Sequence, residues 1–81
     1  MKMEKTLMVH MMDYFKSEYN STKTFLEKRT SWANPQEVIY NAIQRCLGAA
    51  MFVQRLDETL SYDEIEQTYN FYKEQFEKLL E

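Results

Sequence analysis

Residues 34–56 read NPQEVIYNAIQRCLGAAMFVQRL, and this stretch decides the fold. The side-chain oxygen of Asn34 can accept from a free amide in the first turn of a helix. Pro35 fills the one helical position that needs no amide hydrogen, and Glu37 stands where it can reach back to complete a capping box. A helix therefore starts at Pro35. Val38, Ile39, Ala42, Ile43, Cys46, Ala49, Ala50, Val53 and Leu56 follow at spacings of three and four, which predicts a continuous helix over 35–56. Arg45 is its only charge between Val38 and Gln54, and apolar side chains cover more than half its circumference. Such a helix has to be flanked on more than one side. Ala42, Cys46, Ala49 and Ala50, with Gly48 among them, form a low wall that a neighbouring helix or a second copy can approach closely. Leu47, Met51 and Phe52 project on flanking lines.

Working outward, Ser61-Tyr62-Asp63-Glu64 reads as a second capping box, with acids in the first turn where the helix dipole favours them. Tyr62, Ile65, Tyr69, Tyr72, Phe76 and Leu79 then recur at alternating steps of three and four, so a helix over about 62–80 carries a narrow apolar seam. Its tyrosines can bury their rings and keep their hydroxyls at the wet edge. Before Pro35 there is no Gly or Pro, and Leu7, Met8, Met11, Met12, Phe15, Tyr19, Phe25 and Leu26 keep a helical period. One helix over about 3–29 is expected, with a weak point at Asn20-Ser21-Thr22, whose residue types cap better than they propagate. Met8 and Met12 are candidates to meet the low wall of the middle helix, whether within the chain or across a dimer. Trp32 is expected to close the bundle end as a staple beside Asn34.

These elements give an all-α, antiparallel three-helix bundle in a single domain of 81 residues, which a second copy would complete as a homodimer. One Gly and one Pro leave hairpins almost without their usual turn residues, which disfavours a many-stranded β fold. The longest apolar run, Cys46 to Val53, is far shorter than the roughly 20 residues a bilayer span requires. A single cysteine makes no internal disulfide, and Glu4 interrupts the start of any signal sequence, so a cytoplasmic setting is expected. Secreted helical hairpins of the WXG type turn on Trp-x-Gly; Trp32-Ala33-Asn34 has no glycine and an extra capped helix follows, so no family is assigned.

No catalytic constellation emerges. His10 and Cys46 are the only residues of their types, and Cys46 lies on the apolar stripe where inert structural cysteines sit. His10 and Asp13 share a helical face, yet two ligands do not close a metal site; the neighbouring methionines read as adaptable core. Asp57, Glu58, Asp63, Glu64 and Glu66 fall in a loop or a first turn, where water and the helix dipole keep carboxylates ionised rather than poised as acids. No cofactor is expected. Charge is uneven: residues 1–34 sum to +2, 35–56 to +1 and 57–81 to −6, giving the overall −3. The balance disfavours nucleic-acid binding.

The expected function is therefore non-enzymatic: a small protein–protein interaction or regulatory module that pairs with its own copy and presents a helical face to another protein. Phe71, off the apolar seam, and the acids Asp63, Glu64, Glu66 and Glu74 are the candidate contact residues. Two other readings stand beside it. In one, the acidic last helix is a decoy that blocks a nucleic-acid-binding protein. In the other, His10, the methionines and Cys46 form a metal- or redox-responsive module.

Overall fold

A computed structural model describes residues 7–28, 34–56 and 61–80. It contains three helices, α1 (Leu7–Lys28), α2 (Pro35–Leu56) and α3 (Tyr62–Lys78), and each packs against both of the others. The direction of each pair can be read from its contacts. Glu18 of α1 meets Arg45 of α2, while Phe25 and Val38 line one groove nearer the other end, so α1 and α2 are antiparallel. Gln54 lies beside Tyr62 and Gln36 beside Leu80, so α2 and α3 are antiparallel too. Phe15 pairs with Tyr72 and Tyr19 with Phe76, which leaves α1 and α3 parallel. The chain runs up, down and up as an all-α three-helix bundle.

α2 starts as its sequence requires. The Asn34 Oδ1 accepts from the Gln36 and Glu37 amides at 3.0 and 3.3 Å, and the Asn34 carbonyl accepts from Val38 N at 3.0 Å. The Glu37 side chain is exposed and does not reach back, so the cap is the asparagine alone. One face of α2 then fills the middle of the molecule: Ile39, Ala42, Ile43, Cys46, Ala50 and Val53 are all buried. α1 adds Met11 and Phe15, and α3 adds Ile65 and Phe76. The small side chains of α2 leave room for rings. Phe15 meets Tyr72 edge to face with centroids 5.5 Å apart, and Tyr19 meets Phe76 in the same way at 5.6 Å.

α1 passes unbroken through Asn20, Ser21 and Thr22. Thr22 is buried there, with Tyr19 and Leu26 packed against the core on either side, and this packing outweighs the weak helix propensity of the three residues. Four expectations are corrected. Gly48 brings no helix close: it is exposed, and a Cβ added to it would meet nothing within 4 Å. Close approach is instead the work of Ala42, Cys46 and Ala50, with Ala49 half-buried at their edge. Ser61 precedes α3 without a side-chain cap bond; only its carbonyl enters the helix, accepting from Ile65 N at 3.2 Å. Tyr62 leaves the seam and is 58% exposed, because the buried part of α3 starts one turn later at Ile65. α3 itself ends at Lys78, two residues earlier than expected, with Leu79 as its C-cap. Residues 3–6, Arg29, Trp32, Asp57 and Glu58 lie outside the described residues.

Phe15→Ala and Phe76→Ala should each cost about 3–5 kcal/mol, most of the stability of a domain this small, because each removes a fully buried ring. Gly48→Ala should instead add about 1 kcal/mol, since its methyl enters open space and relieves a helix-interior glycine. Urea unfolding at low protein concentration checks both; equal effects at Phe15 and at an exposed position such as Phe71 would contradict this core.

Candidate functional site

Among the described residues, the most connected polar group sits where α1 crosses α2. Arg45 donates from Nε at 3.0 Å and from Nη2 at 2.9 Å to one carboxylate oxygen, Oε2, of Glu18. Tyr14, one turn before Glu18 on α1, donates its hydroxyl to the same side chain, and burial followed by the Glu18 charge raises its pKa. The hydrogen bond to Glu18 likewise raises the Arg45 pKa. Beneath this cluster lies Cys46. Burial, then the nearby Glu18 carboxylate, pushes its thiol up to about 12, and Arg45 only partly opposes this. Tyr69 on α3 is also raised, first by burial and then by Cys46 and Glu77.

Such a thiol stays protonated at neutral pH and is a poor nucleophile or metal ligand. His10 is not beside it. The register that sets Glu18 opposite Arg45 leaves His10 about 10 Å further along the bundle at 1.5 Å per residue, on the exposed side of α1. The methionines around His10 divide: Met11 is in the core, Met8 packs against the core's edge, and Met12 is exposed. Among the described residues no three His, Cys, Asp or Glu side chains converge as metal ligands. Cys46, Ala42 and Ala50 therefore make helix–helix contacts within the chain.

The candidate contact residues of α3 are at the surface. Asp63, Glu64, Glu66 and Glu74 are exposed, and Phe71 is 55% exposed with its ring edge-on to Tyr72 at 5.3 Å and 87°. Because Tyr72 in turn meets Phe15, an aromatic line runs from the surface at Phe71 to the centre of the core. Rings held in this way present contact area at little entropic cost.

A second set of exposed side chains lies on α2: Met51 and Phe52, expected on its flanking lines, and Tyr40, which the sequence reading did not single out. Tyr40 is 61% exposed, Met51 51% and Phe52 62%. Met51 and Tyr62 also flank a groove between α2 and α3 of about 310 Å³, floored by Ala50 and Ile65 and edged by Glu66. The signal for these positions was present: at 100° per residue they fall on the side of α2 opposite Cys46, where an apolar residue gains nothing from the bundle's own core. No described helix is long and apolar enough to cross a membrane.

Because the unfolded chain loses the Cys46 proton near pH 9 while the folded chain keeps it to about 12, stability should fall as pH rises through that interval. Between pH 8 and 10, below most tyrosine ionisation, the loss should be on the order of 1 kcal/mol, and the slope should be flatter in Cys46→Ala. An unchanged slope in that variant would show that Cys46 ionises in the folded chain. Compared with known proteins, this chain matches no family model, no curated protein and no solved structure.

Proposed function

We propose that this chain is a non-enzymatic interaction module of the cytoplasm that acts by presenting helical faces to protein partners, its own copy among them. The observation that carries the reading is the group of large apolar side chains left outside a complete core: Tyr40, Met51, Phe52, Tyr62 and Phe71 are each more than half exposed. Within the monomer they add little stability, and exposed aromatic and methionine side chains are the types enriched at the centres of protein interfaces. The single cysteine, buried and held protonated, fits a reducing compartment.

The acidic decoy is the second reading, and the exposure of all four of Asp63, Glu64, Glu66 and Glu74 favours it. The two differ in their dependence on salt and on Phe71. With the intact chain as bait in an extract of its own cells, Phe71→Ala should reduce capture of the bound partner several-fold while thermal unfolding changes little. Loss of capture only when Asp63, Glu64, Glu66 and Glu74 become amides, together with release by moderate salt, would favour the decoy instead. Capture unaffected by either variant would overturn both.

A further inference from the structure

The solvent side of α2 carries a pattern that the bundle does not use. Glu37, Asn41, Gln44, Gly48, Met51 and Arg55 follow one another at steps of four, three, four, three and four, and all six are exposed. At 100° per residue they form one stripe centred opposite Cys46. Those steps keep all six positions on one face, where a partner helix crossing at a shallow angle could meet them; only Met51 among them is a large apolar residue, so polar and charged contacts would have to set the pairing. The step pattern also reads the same from either end. Reversed about the level of Cys46, Glu37 exchanges with Arg55, Asn41 with Met51, and Gln44 with Gly48.

The geometry points to a homodimer in which two α2 helices pair antiparallel through this stripe, about a twofold axis at the level of Cys46, with Glu37 of each copy opposite Arg55 of the other. The inference rests on the interaction reading above and names its partner. Three observations support the second copy as the occupant. The charges are complementary at the symmetric register, so both ends of the pairing gain an ion pair, and Glu37 and Arg55 are both exposed. Gly48 is an exposed glycine in a helix interior that nothing in its own chain requires; at the dimer seam it gives the longer Gln44 of the other copy a place to lie. Tyr40 and Phe52 flank the stripe on its two sides, where Tyr40 lies beside Met51 of the other copy and Phe52 beside its Asn41, which would cover three of the most exposed large side chains. The one other charge at the edge, Arg45, comes near its own symmetry mate, and each is already held by Glu18 of its own chain. An isologous contact of this kind closes on itself and leaves α3 free for another protein.

Sedimentation equilibrium of the full chain tests the pairing, because every substituted position is at the surface and circular dichroism verifies the fold of each variant. The wild type should dimerise. Glu37→Arg and Arg55→Glu should each weaken the dimer at least tenfold, and the double reversal should return it to within about threefold of wild type, since the ion pair is re-formed with its charges exchanged. Gly48→Trp should abolish the dimer, and Phe71→Ala should leave it intact. A wild type that is monomeric at all concentrations would overturn the pairing, as would a dimer indifferent to the single reversals. Either result leaves the interaction reading to the Phe71 experiment, which depends on a different helix and a different partner.

Discussion

The structure depends on the burial of α2 from two sides. Its inward face carries the small Ala42, Cys46 and Ala50 with the branched Ile43 beside them, and Ile39 and Val53 toward the ends. Small residues bury little area by themselves, so the apolar volume at the centre has to be supplied by the neighbours, and Phe15 and Phe76 supply it. Two helices set against one face of a third must then pack on each other. This is the origin of the ring contacts between α1 and α3, Phe15 with Tyr72 and Tyr19 with Phe76.

The same constraint separates inside from outside. A three-helix bundle covers two sides of its central helix and leaves the third to solvent, so an apolar residue on that third side cannot contribute to the fold that places it there. Tyr40, Met51 and Phe52 are in this position. Polar chemistry, by contrast, is concentrated at the α1–α2 edge, where Glu18 holds Arg45 and Tyr14 over the buried thiol. That edge is held by the chain's own side chains. Among the sides still open to a partner are the outer stripe of α2 and the acidic, Phe71-bearing face of α3.

Much of this was legible in the residues. The bounds of α2 were set by a capping asparagine, a proline and an uninterrupted period, all local signals, and the continuity of α1 followed from the same period outlasting three poor helix formers. The sequence reading failed where the answer depended on which side a neighbour occupies. Gly48 was grouped with Ala42, Cys46 and Ala50 on composition, although it points about 160° away from Cys46 at 100° per residue. Tyr62 fits the spacing of the α3 seam, but spacing does not say where the neighbouring helix begins to cover it. Ser61 has the residue type and place of a cap without making the bond, since a cap bond depends on a rotamer that composition does not fix. Tyr40 was the least legible of the exposed large side chains, because a periodicity search rewards the buried face and discards the exposed one.

Native-state hydrogen exchange tests the central place of α2 most directly. If α2 is the element on which both other helices depend, the amides of Ala42, Cys46 and Ala50 should exchange only through global unfolding, with an opening free energy equal to that from urea denaturation. Exchange of those amides at a lower free energy than the core amides of α1 and α3, Phe15 and Phe76 among them, would mean that α1 and α3 hold together without α2, and would contradict the account.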